Sequence, residues 1–96
     1  MKRIVFFPDA TTDLDSIWDY TADKWGTDQA NRYVEDIRIV VEKLGTDVST
    51  SHSAADVRKG YRKTFVGRHV IFFREGADIV EVVRVLHQQM DVGRWV

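Results

Sequence analysis

The spacing of apolar and polar residues changes several times along this chain, and each change marks an element. Arg3 to Phe7 reads RIVFF, a short β-type run. Pro8 and the stretch Asp9-Ala10-Thr11-Thr12-Asp13 mark a helix start, because Pro suits a first turn and Thr or Asp can cap orphan amides. Leu14, Ile17, Trp18, Thr21, Ala22 and Trp25 then recur at helical spacing. Asp13, Asp15, Asp19 and Asp23 fall mostly on other faces, as a solvated surface should. Gly26 stands where a left-handed C-cap belongs, and Thr27 offers the next N-cap. Ala30, Tyr33, Val34, Ile37, Val41 and Leu44 follow at intervals of three and four, the best amphipathic pattern in the chain, and Gly45 ends it. Two helices joined by so short a link must fold back on each other, with both apolar stripes facing one sheet.

Thr46 to Asp56 is polar and Ser-rich, a loop by composition. Gly60 to Val66 reads as a strand. Beyond it, two runs rich in β-branched residues flank Glu75-Gly76-Ala77-Asp78, which predicts a β-hairpin. The expected order is β-α-α-β-β-β, an α+β fold with a helical hairpin packed on one face of a small, mostly antiparallel sheet. Strand alternation puts Arg62 with Thr64 on one face and Tyr61, Lys63 and Phe65 on the other. The same rule puts Arg84 with Val82 and Leu86, opposite Val83, Val85 and His87.

A chain of 96 residues predicts a single domain, residues 1–96, with one compact core. It has no cysteine, so a disulfide scaffold or thiolate metal site is excluded and a reducing compartment fits. The apolar run at the start stops at Pro8, too short for a signal sequence or a membrane span. The expectation is a cytoplasmic protein with no membrane partner.

The formal charge of −1 hides an asymmetry: residues 1–57 carry a net of −5 and residues 58–96 a net of +4. Overall this is not a basic nucleic-acid binder, and no direct sequence-specific DNA binding is expected. The positive half suits an acidic partner. Arg58, Lys59, Arg62, Lys63 and Arg68 fall close together, with Tyr61 and Phe65 between them. Such a segment can hold RNA through phosphate contacts and stacking, can meet an acidic protein, or can simply guard an edge strand against aggregation.

The three histidines, His52, His69 and His87, lack metal-ligand spacing, and neither a Gly-rich phosphate loop nor a nucleophile elbow is present. No metal, cofactor or catalytic residue is expected. After the final strand, Met90, Val92, Trp95 and Val96 leave several apolar groups, which either complete the core or meet a partner. Trp18 and Trp25 are expected in the core or in packing within the helix pair.

The hairpin that ends in Arg84-Val85-Leu86-His87 and runs on to Met90-Asp91 follows a helical pair carrying Asp13-Leu14, Ile17-Trp18, Tyr20 and Trp25-Gly26. Together these resemble the ParE toxins of the RelE/ParE superfamily, over nearly the whole chain. The resemblance implies the toxin of a type II toxin–antitoxin pair that inhibits DNA gyrase. It also implies neutralisation by a ParD-like antitoxin, which lays an extended or helical segment along the toxin. RelE-type relatives are metal-free ribonucleases acting on the ribosome, and for that activity Arg68, His69 and His87 would be the candidates. The match to those enzymes is incomplete: His69 stands where they usually place an Arg, and Gln88 replaces a supporting Tyr. A toxin relic that only binds antitoxin is the third reading. The candidates for contact with antitoxin or target are Arg58, Arg62, Lys63, Arg68, His69, His87, Met90, Arg94 and Trp95.

Overall fold

A computed structural model describes residues 1–89. The expectations placed on Met90, Arg94 and Trp95 lie outside the described residues. Strand β1 (Arg3–Phe6) leads into helices α1 (Pro8–Trp25) and α2 (Thr27–Leu44), followed by β2 (His52–Ser53), β3 (Tyr61–Val66), β4 (His69–Glu75) and β5 (Ile79–His87). The five strands form one sheet in the order β1-β5-β4-β3-β2. β1 pairs with β5 in parallel, and every other pairing is antiparallel. The helical hairpin is therefore the crossover that lets a parallel strand join an antiparallel meander.

Pro8 takes the first helical turn as expected, but the caps of both helices differ from expectation. Pro8 is itself the first helical residue, where its missing N–H costs nothing, and Phe7 precedes it with no side-chain cap. Thr11, Thr12 and Asp13 lie inside the helix, not at its cap. Thr27 likewise lies inside α2, and Gly26 alone separates the two helices. Gly26 has φ 92° and ψ 166°, a positive-φ conformation other than the left-handed cap anticipated, and one that only glycine adopts readily. Its N–H donates to the Ala22 carbonyl while its own carbonyl accepts from Ala30 N–H, so one residue closes α1 and opens α2.

The apolar stripes meet the sheet as the spacing predicts. Ile17 of α1 and Ile37 and Val41 of α2 pack with Val66, Ile71 and Val82 in the main core cluster. Removing buried methylenes here, as in Ile37→Ala, costs about 2–5 kcal/mol. The polar Thr21 fits the same buried stripe because its hydroxyl donates to the Ile17 carbonyl at 2.7 Å. A second cluster, including Tyr61, Val70, Phe72 and Leu86, covers the opposite face of the sheet, so the sheet is apolar on both sides.

Two features depart from the sequence reading. Within the segment expected to be all loop, His52 and Ser53 pair with Lys63 and Arg62 and add a short edge strand. In β5 the simple alternation fails. A register shift opposite Phe72 and Phe73 inserts one extra residue, so Phe73 pairs with Val82 and Phe72 with Arg84. Val82 and Val85 consequently share the helix-side core, while Val83 and Leu86 share the other face. The expected grouping of Val82 with Leu86, and of Val83 with Val85, is corrected by this bulge.

Candidate functional site

β3 turns into β4 through Gly67 and Arg68. Gly67 has φ 53° and Arg68 does not have positive φ, the pattern of a II′ hairpin turn. A Cβ on Gly67 would lie 2.8 Å from the Tyr33 hydroxyl, so glycine is required there both for conformation and for the approach of α2. The Tyr33 hydroxyl accepts the Arg68 N–H at 3.2 Å and donates to the Val66 carbonyl at 3.2 Å, binding the helix to both ends of the turn.

The same hydroxyl lies 2.6 Å from Nδ1 of His69, the first residue of β4. His69 pairs directly across the ladder with His87, and their rings meet edge to face with centroids 5.4 Å apart. Since the Val66 carbonyl can only accept, the Tyr33 hydroxyl proton goes to it, and the contact with His69 is completed by a proton on Nδ1, which leaves His69 Nε2 as an acceptor. His87 Nδ1 accepts the Gln89 N–H at 3.1 Å, so its ring proton is on Nε2. Burial first, and the neighbouring His87 second, push the His69 pKa below its ordinary value. Burial raises that of Tyr33, against the opposing pull of Arg68.

These groups form the floor of an open cleft of about 710 Å³ between the helical hairpin and the β3–β4 turn. Ile17, Tyr20 and Trp25 supply its apolar wall. Tyr20 and Trp25 are 60% and 63% exposed, with rings 6.5 Å apart. Trp25 is therefore not a core residue, which corrects the sequence reading. Trp18 does clasp the helix pair, its indole N–H donating to Asn31 Oδ1 at 2.8 Å.

The basic segment does not act as one patch. Arg62 lies on the helix-facing side of β3 and is consumed locally, its Nε donating to Ser51 Oγ at 2.8 Å and a terminal nitrogen to the Ser51 carbonyl at 3.1 Å. Arg58 and Lys63 lie on the other side, over the rings of Tyr61 and Phe65 at 5.8 and 6.0 Å. Arg68 joins His69 and His87 in the cleft. Of the residues proposed for contact, the fold therefore brings three together, places two on the opposite face and uses one structurally.

The sequence reading missed Tyr33, which it took as one more member of an apolar stripe, and the partner of Arg84. Asp13 was assigned to solvent, yet its carboxylate accepts Arg84 Nε at 2.8 Å, an Arg84 terminal nitrogen at 2.7 Å and the Val85 N–H at 2.9 Å. The available signal was Arg84 itself, a lone charge inside an apolar strand. Among the described residues no group of three His, Cys, Asp or Glu could hold a metal ion. His87 as bonded here also presents N–H, not a lone pair, at Nε2. Among the same described residues no helix has the length and apolarity to cross a membrane.

Comparison with known proteins gives a consistent answer. Residues 4–92 match the family described as the ParE toxin of the type II toxin–antitoxin system parDE. The toxin ParE1 of Mycobacterium tuberculosis H37Rv is 39% identical over 94 residues, covering 97% of this chain and 96% of that protein. Toxin ParE1 of Caulobacter vibrioides is 38% identical over 82 residues, covering 85% and 84%. Among solved structures, the chromosomal ParDE system of P. aeruginosa superposes with a TM-score of 0.79 at 21% identity, over 91% of this chain and 96% of that one. YafQ of E. coli gives 0.63 at 15%, over 92% and 94%, which shows a shared fold alone. The sequence match spans the helical hairpin and the β3–β4–β5 meander that together build the cleft, and the chain belongs to the ParE toxin family of type II toxin–antitoxin systems.

Proposed function

We propose that this chain acts in the cytoplasm as a single-domain toxin that arrests replication by binding and inhibiting DNA gyrase. In the same reading, a ParD-like antitoxin neutralises it by laying a segment into the cleft between helical hairpin and sheet. The observation that carries the reading is the pair of exposed aromatic groups at the mouth of that cleft. Tyr20 and Trp25 stand out of an otherwise ordinary surface, as anchors for a protein partner do. RNA cleavage needs a base, an acid and cations converging on one phosphate. Here Arg84 is paired with Asp13 and Arg62 with Ser51, and Gln88, whose amide donates to the Gly67 carbonyl at 3.0 Å, cannot exchange a proton.

A ribosome-dependent ribonuclease is the second reading, favoured by one observation: Arg68, His69 and His87 do converge, with Tyr33 behind them. Induced expression scored for growth arrest, with supercoiling by purified gyrase and mapping of mRNA ends in parallel, decides between them. Growth arrest with inhibited supercoiling and intact mRNA is the expected result. Cleaved mRNA with unaffected gyrase overturns it, and absence of growth arrest leaves only an antitoxin-binding relic.

A further inference from the structure

The chain holds 15 Asp and Glu residues, many of them on the two helices that wall the cleft. Yet among the described residues no carboxylate lines it. The floor instead displays donors. Arg68 has no ion pair among the described residues, and its charge is close enough to act on the Tyr33 phenol. The Gln89 N–H, held by Nδ1 of His87, leaves Nε2–H on His87 as a second donor beside it. Ser16 and Gln29 on the cleft wall can donate or accept. Beside these donors stand the apolar faces of Ile17, Tyr20 and Trp25.

From this polarity we infer that the cleft floor is a carboxylate-recognition subsite: Arg68 and His87, with His69 beside them, receive an acidic side chain of a partner segment whose neighbouring apolar side chain lies against Tyr20 and Trp25. The occupant is a segment of the antitoxin, and in this respect the inference rests on the reading proposed above. The chemistry requires no charge on the histidines. The Arg68 guanidinium and the His87 Nε2–H supply the hydrogen bonds to the two carboxylate oxygens, and charge-assisted bonds of this kind are about twice as strong as neutral ones. An amide of the same shape carries no charge, so it forgoes the charge-assisted bond to Arg68 and binds less tightly.

The test uses the isolated chain and two small probes that differ only in this group, 3-phenylpropionate and 3-phenylpropionamide. Binding is followed by NMR at the ring Cε1–H signals of His69 and His87. The acid is expected to shift both signals saturably and to bind at least about tenfold more tightly than the amide, a difference of about 1.4 kcal/mol. Arg68→Gln should remove that preference, while Arg58→Gln, on the opposite face, should retain it. Equal binding of acid and amide overturns the inference, as does an acid preference that survives Arg68→Gln. The toxin co-purified with its antitoxin should show no shift with 3-phenylpropionate; a complex that binds the probe as well as the free chain excludes the antitoxin as occupant. Because these measurements involve neither gyrase nor growth, failure of the subsite and failure of the proposed function are read separately.

Discussion

Asp13 and Arg84 form a bidentate pair, 71 residues apart in sequence, that joins the first helix to the last strand. β1 pairs with β5 only as far as Val82, so the Val85 N–H has no strand beside it. Asp13 supplies the missing acceptor and at the same time neutralises the only cation in the apolar run from Val82 to Leu86. Its hydrogen bonds hold the Arg84 guanidinium protonated beyond the ordinary range for arginine. The side chains are only 12% and 14% exposed, so solvent screening is slight.

Asp13→Ala should therefore destabilise the fold by about 3–5 kcal/mol, the usual consequence of leaving one partner of a buried pair behind. Asp13→Asn keeps an acceptor for Val85 and should cost less. Urea unfolding measures both. A loss below about 0.5 kcal/mol for Asp13→Ala, typical of a surface change, would falsify the structural role.

Gly67→Ala should be costly for two separate reasons. The positive φ disfavours any Cβ by about 1–3 kcal/mol, and the added atom would sit 2.8 Å from the Tyr33 hydroxyl and 2.9 Å from its ring. Combining it with Tyr33→Ala removes the second penalty but not the first. Melting of the single and double variants should thus be non-additive, with the double variant losing less than the two single losses together. Simple additivity contradicts the close approach.

The depressed pKa of His69 links stability to pH. Between its folded value and its ordinary 6.5, the unfolded chain binds more protons than the native one. The contribution is present in full above 6.5 and is lost as pH falls through the lowered folded value. Thermal midpoints measured from pH 7 down to pH 5 should decline, and His69→Gln should flatten that part of the decline that His69 causes. An identical slope in wild type and variant would show that other groups, not His69, carry the dependence.

Two substitutions separate partner binding from catalysis. Trp25→Ala removes a ring that is mostly exposed, so stability should change by no more than about 0.5 kcal/mol. As an anchor, however, its loss should weaken antitoxin binding by more than about 1 kcal/mol, a hot-spot effect readable by calorimetry. His87→Gln should leave growth arrest largely intact, since a general base would be worth about 10² to 10⁴ in rate. A folded but inactive His87→Gln variant, with mRNA cleavage by the parent, would favour the ribonuclease reading.

Local pattern was enough for the helices, the β4–β5 hairpin and the α+β class. Their signals are periodicity and turn chemistry, both carried by neighbours in sequence. Arg68, His69 and His87 were legible as candidates through the family resemblance, and the strand alternation of Arg62 against Tyr61, Lys63 and Phe65 was legible from the two-residue period. What lay beyond reach depended on contacts between distant segments. The bulge in β5 arises from the pairing with β4, and it reassigns the faces of Val82, Val83, Val85 and Leu86 without any mark in their own residue types. His52 and Ser53 become a strand only because β3 offers them an edge. Tyr33 has the spacing of a core residue, and only the packing of α2 against the Gly67 turn brings its hydroxyl to His69. Trp25 has the same helical spacing as Ile17 and Thr21, but it sits one turn too far along α1 to be covered by the sheet, so it remains at the mouth of the cleft. Periodicity thus determined which elements form and which residues can face inward; the register of the sheet and the docking of the helices decided which of them meet, and therefore where the site lies.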